Sequence, residues 1–294
     1  MPAPFERHRL TVTANEALGA YRVLKASDPG GPPTAGQFAM LAASERWGGG
    51  EDERPFLPRA FSYARWLAGR SEVPPTSDRR RSHRSPIGGE AHFLLEDVGP
   101  GTHRLCELQP GEGLWALGPL GVGFKAPSGG RAAVLVGGGV GIAPLAIWQD
   151  ALDSATVLLG FRDAAHANGA DLCHNAQVVT DDGSCGRRGL VTELLEEHLD
   201  EEPHSTVYAC GPPPMLEAVR ALCAVRGIPA QLALESGMAC GFGACFGCVV
   251  PTRSGYARLC VDGPVLDAAE LERVEHAGGH TYDSSSEPVL EGSP

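Results

Sequence analysis

The stretch Val134–Leu145, VLVGGGVGIAPL, passes from apolar β-formers through four glycines into a helical pattern. An apolar run without alternation is what a strand covered on both faces requires. Pro144 suits a first helical turn, where its missing N–H costs nothing. Between strand and helix, Gly137, Gly138, Gly139 and Gly141 leave room for a pyrophosphate to approach the backbone and the helix start. The turn departs from the G-x-G-x-x-G pattern because Pro144 takes the last position, so its weight comes from its surroundings.

Those surroundings alternate. From Arg131 to Gly227 the chain reads as strand, helix, strand, strand, helix, strand, helix, with GLVTELLEEHL amphipathic and PPMLEAVRALCAVRG closed by Gly227. That order predicts a parallel sheet wrapped by helices. ACGPPPM, Ala209–Met215, follows one of the later strands, at the end of the sheet where ligands bind. Cys210 and Gly211 are therefore candidates to face a cofactor ring, against the plainer reading of a buried cysteine before a proline turn.

Upstream, Arg7 to about Leu117 carries short β-rich runs separated by turn residues, which predicts an antiparallel barrel or sandwich. Two segments interrupt it. Ser44–Pro58 is glycine-rich and acidic; Gly69–Glu90 is nearly free of apolar residues and contains DRRRSHR, read as a solvated disordered insertion in preference to a docking patch. Downstream, a last strand AQLALES leads into ACGFGACFGC, and the chain after Ala277 reads as a disordered tail.

Cys240, Cys245 and Cys248 are spaced C-x4-C-x2-C, with Cys260 following, the plant-type pattern for a [2Fe-2S] cluster. Gly241, Gly243 and Gly247 permit positive φ and let amide N–H groups point at the sulfurs. Zinc is the competing ligand, but zinc sites are usually assembled from two short chelates and only one C-x2-C is present. Cys106, Cys173, Cys185 and Cys223 read as packing or tolerated surface thiols.

Composition bounds the rest. With 294 residues, 43% hydrophobic and 20% charged, the chain is globular and long enough for two or three domains. A net charge of -12 argues against a nucleic-acid partner. No apolar stretch approaches a signal core or a membrane span, which predicts a cytoplasmic protein with reduced thiols, so nine cysteines point to metal or packing rather than disulfides. No acid–base dyad or nucleophilic triad stands out, and no catalytic side chain is assigned.

In this order the motifs resemble the ferredoxin reductase superfamily, and within it the electron-transfer subunits of NAD-dependent, FMN-type dihydroorotate dehydrogenases. RAFS at Arg59–Ser62 with VGPGT at Val98–Thr102 is similar to the family's FAD-binding pair, and LGPLGVGF at Leu117–Phe124 to its domain junction. VGGGVGIAPL, TDDGSCGRRGLVTELL and ACGPPPML are similar to its nucleotide domain, and ESGMACGFGACFGCVV with RLCVDGPVL to its cluster loop. The resemblance implies a FAD-binding β-barrel domain (1–128, with the insertion at about 69–90), an NAD-binding α/β domain (129–229), a [2Fe-2S] domain (230–276) and a tail (277–294). It implies that Arg59, Phe61 and Ser62 hold the flavin and its diphosphate, completed by Gly101 and Thr102; Ala60 departs from the proline common there. Its cofactors would be FAD, [2Fe-2S] and NAD, and its partner an FMN-containing catalytic subunit in a heterotetramer of pyrimidine biosynthesis. Related alternatives are the small subunit of an NADP-dependent ferredoxin oxidoreductase or of a soluble hydrogenase. A zinc-stabilised redox-sensing or binding module is the alternative of another class.

Overall fold

Six strands close into an antiparallel barrel: β1 (Glu6–Leu18), β2 (Tyr21–Asp28), β3 (Phe38–Ala43), β4 (Arg59–Ala68), β5 (Gly89–Glu96) and β6 (Gly113–Leu120), in circular order β1-β2-β5-β4-β3-β6. The computed structural model describes residues 6–44, 58–69, 88–272 and 274; the bulk of both interrupting segments and the tail after Ala277 lie outside the described residues. Alternation turns Leu10, Leu24, Leu41, Phe93, Leu95 and Leu114 into one barrel core. The helix α1 (Pro100–Cys106) adds Leu105 to that core, and Leu108 follows it in. Periodicity did not predict α1, because seven residues opening on Pro-Gly-Thr give no repeat to read.

The chain then continues through β7 (Ala132–Gly138), β8 (Thr156–Phe161), β9 (Gln177–Thr180), β10 (Arg187–Arg188), β11 (Ser205–Cys210) and β12 (Ala230–Ala233), a hairpin of β13 (Val249–Thr252) and β14 (Gly255–Arg258), and β15 (Val265–Asp267). A seven-stranded sheet runs β10-β9-β8-β7-β11-β12-β15, parallel throughout except for β15, which pairs antiparallel with β12. β7 lies between β8 and β11, and this explains its uninterrupted apolar run. Because β12 and β15 flank the cysteine loop in sequence, the loop is carried as an excursion from the edge of this sheet.

Helices cover the sheet as their apolar spacings dictate. α2 (Ile142–Asp150) is buried on most sides because it is wedged between the sheet and the barrel, where Arg65 of β4 donates to Leu172 O (2.8 Å) and pairs with Asp150 (3.3 Å). After the one-turn α3 (Ala164–Ala167), α4 (Val191–Glu201) buries Val191, Leu195 and Leu199, one turn apart. α5 (Pro213–Arg226) buries Leu216, Val219 and Cys223 and ends at Gly227 in the left-handed region (φ 64°). The barrel is pinned to the sheet by Phe124, whose ring packs on Trp148 (5.8 Å) and edge-on to Tyr208 (5.6 Å). Among the described residues no helix is long and apolar enough to cross a membrane. All nine cysteines are free; Cys106, Cys173 and Cys223 are buried and Cys185 is exposed.

Candidate functional site

Two cavities lie where barrel and sheet meet. The smaller, about 340 Å³, takes Phe61 and Ser62 from β4, Thr102 from α1, Gly141 from the glycine turn, and Cys210 from the end of β11. The larger, about 520 Å³, opens over Gly138 and Gly139 at the carboxyl ends of β7 and β8. Glu96, Val140 and Glu235 line both, so the cavities touch along that seam.

Local sequence explains the shapes. Gly139 turns the chain with φ 56° and has open space above it, whereas a Cβ on Gly141 would stand 2.4 Å from the Cys210 carbonyl oxygen. Only glycine lets the two strand-end turns approach this closely. Gly137 and Gly211 reach neither cavity; they lie beneath, packed on Leu159 and on Met215 and Gly138. Beside the smaller cavity, the Arg59 guanidinium occupies the place of a side chain on Gly101, 2.1 Å from where its Cβ would be. The Thr102 hydroxyl accepts from the N–H groups of Val98 and Gly99 (both 3.0 Å) and donates to Gly99 O (2.9 Å), so it shapes the loop.

Glu235 and Ser236, which open the motif ESGMACGFGACFGCVV but have no role assigned from sequence, belong here. Ser236 Oγ is buried with no hydrogen-bond partner among the described residues and lines the smaller cavity. An orphaned hydroxyl in a cavity fits a ligand with polar ring edges, as a flavin has. Glu235 is open to the cleft but closely flanked by protein, and burial raises its pKa above the usual carboxylate range. Burial, reinforced by Glu235, pushes the Cys210 thiol well up, which keeps it a neutral thiol rather than a nucleophile. The available signal was a charged residue directly after the apolar run of a parallel strand.

The cysteine loop stands behind the smaller cavity. Cys240 and Cys245 form one pair, the Cys245 N–H donating to Cys240 Sγ (3.4 Å); Cys248 and Cys260 form another, their sulfurs 3.2 Å apart. Burial pushes the Cys240 thiol up, but N–H donors from Cys245, Phe242 and Ala244 outweigh it and bring the pKa down to about 6. The Gly247 N–H points at Cys245 Sγ (3.5 Å). Among the described residues no three His, Cys, Asp or Glu side chains converge on a single metal ion. Two thiol pairs ringed by amide donors suit a dinuclear, negatively charged cluster better than one zinc ion. Gly241 and Gly243 take the expected positive φ (79° and 86°), but Gly247 does not: Phe246 does instead (φ 58°), its ring 5.6 Å from the Arg258 guanidinium.

A closed barrel, a parallel nucleotide sheet and a cysteine loop joined in this way define a ferredoxin-reductase-type protein. The model of the iron-sulfur cluster binding domain of dihydroorotate dehydrogenase B matches residues 235–272, and that of the oxidoreductase NAD-binding domain matches residues 161–221. The chain is 40% identical over 201 residues to the dihydroorotate dehydrogenase B (NAD(+)) electron transfer subunit of Geobacillus thermodenitrificans, covering 62% of this chain and 74% of that one. It is 31% identical over 278 residues to the subunit of the same name from Bacillus pumilus, covering 89% and 96%. The chain belongs to the family of dihydroorotate dehydrogenase B electron transfer subunits. In fold it is similar to a solved NADH-dependent reduced ferredoxin-NADP oxidoreductase, with TM-score 0.70, 23% identity and 90% of each chain covered.

Proposed function

We propose that this chain carries electrons from the FMN of a dihydroorotate dehydrogenase catalytic subunit to NAD+, within a heterotetramer of de novo UMP synthesis. When bound, [2Fe-2S] supplies one-electron transfer and FAD the conversion between single electrons and a hydride. The supporting observation is that cavity wall and thiols share the same short segments. Met238 lines the smaller cavity two residues before Cys240, and Pro264 lines it four residues after Cys260. Gly241 rests on Met40 of β3, next but one to Phe38 in the cavity wall.

In this reading Cys240, Cys245, Cys248 and Cys260 hold the cluster. Phe61, Ser62 and Ser236 bound the flavin ring, and Arg59, set on Gly101 near Thr102, meets its diphosphate with a permanently charged fork. Gly138 and Gly139 receive the dinucleotide, Gly137, Gly141 and Gly211 permit the close packing of the turns, and Cys210 and Glu235 face the seam where nicotinamide reaches flavin. The division into units at 1–128, 129–229 and 230–276 follows the same roles, with the sheet edge shared between the last two.

The test is reconstitution. The purified chain should show flavin and iron–sulfur absorption, and with a catalytic subunit it should form NADH from dihydroorotate and NAD+, which neither does alone. A colourless chain, or a coloured one that fails to couple, overturns the proposal.

A further inference from the structure

Among the described residues lining the larger cavity, Arg162 is the one Lys or Arg. It follows β8, at the same strand ends as Gly138 and Gly139. Its Nη2 donates to Glu96 Oε1 at the end of barrel strand β5 (2.8 Å), it contacts the His166 ring, and its Nε lies 3.8 Å from Asp163. The Arg162 side chain is 62% exposed while that of Glu96 is 23% exposed, so the cation faces the cleft and its anion sits behind it. A ring lies beside this pair: His166 Nε2 is 3.4 Å from the same Glu96 oxygen, and His166 Nδ1 is 2.6 Å from Asp163 Oδ1.

We infer that Arg162 anchors the diphosphate of the dinucleotide, and that Glu96 holds it in reserve until the ligand arrives. The inference rests on the nucleotide reading of the larger cavity. On binding, the guanidinium exchanges one carboxylate for a diphosphate, whose spread charge and paired oxygens match its fork better. The exchange is easy because the guanidinium half of the pair is exposed to water, which weakens the pairing, and because Glu96 stays behind it on the barrel side, beside the His166 ring. A strap meant only to fasten barrel to sheet would keep its arginine inside.

The FAD-loaded chain is assayed as an NADH–ferricyanide reductase, with ADP-ribose as competitive inhibitor and thermal melting alongside. Turnover of NADH by the unmodified chain tests the nucleotide reading itself; its absence removes that reading and this inference with it. Given turnover, R162A should raise KM for NADH and Ki for ADP-ribose together by roughly tenfold to a hundredfold, the loss of a charge-assisted phosphate contact, with R162K intermediate. E96Q should move the other way, lowering KM about threefold as the weak competing pair is removed. Loosening of the fold cannot produce tighter binding, so a lowered KM in E96Q identifies the reserve role. Unchanged KM in R162A, or a raised KM in E96Q, overturns the inference while leaving the nucleotide reading in place.

Discussion

Glu235 and Cys210 illustrate how position acts on single side chains. Glu235 is held by burial at a pKa above its unfolded value, so folding favours its protonated form. That contribution is fully present at low pH and is lost as pH rises through the folded pKa. Glu235→Gln should therefore raise Tm at the alkaline end of a pH series of melting curves and give no gain at the acid end, where the carboxyl is neutral; an equal gain at both ends would contradict this. Cys245→Ser should abolish the iron–sulfur absorption and partner-coupled NADH formation yet leave NADH reduction of FAD, measured by anaerobic bleaching. The four cysteines stand out in the sequence because C-x4-C-x2-C with a later fourth thiol is a ligand spacing, with zinc competing for it. Ser236, Glu235 and Arg162 have no such spacing; they matter because parallel strands end together, and a strand end is only a site once its neighbours are known.

Elements add what side chains cannot. β3 is buried along its whole length because Ala39 and Leu41 face the barrel while Phe38 and Met40 join the core beneath the cysteine loop with Cys248, Leu259 and Cys260. A Cβ on Gly241 would stand 2.5 Å from Met40 Cγ, and φ 79° there disfavours any side chain. Gly241→Val should lift the loop from β3: partner-coupled turnover should fall at least about tenfold, while NADH–ferricyanide activity holds, since a distorted loop costs roughly 1–3 kcal/mol of strain without touching the nucleotide cleft. Alternation and the strand–helix order announced the barrel and the sheet. α1 and β15 were not legible, one too short to repeat and the other three residues that read as loop until β12 pairs with them.

At the scale of the molecule, exposed apolar side chains gather on the cysteine-loop unit: Phe242, Phe246, Tyr256 and Val261 are 45%, 62%, 81% and 38% exposed. Aromatic residues at a surface are the usual anchors of protein contacts. The double variant Phe246→Ser with Tyr256→Ser should weaken partner-coupled NADH formation by about tenfold or more, seen as a raised requirement for catalytic subunit, with spectra and NADH–ferricyanide turnover intact. Unaltered coupling would place the docking face elsewhere. The excursion from β12 to β15 carries one more implication. The Leu234 N–H reaches Pro264 O (3.0 Å) across its neck, so the outermost strand of the nucleotide sheet is laid down only after the cysteine loop has been traversed. Without metal to gather the thiols, closing that neck bears the full entropy of a free loop. A newly made chain in an iron-starved cell is thus expected to present a frayed edge to proteases, and its abundance to rise and fall with iron supply.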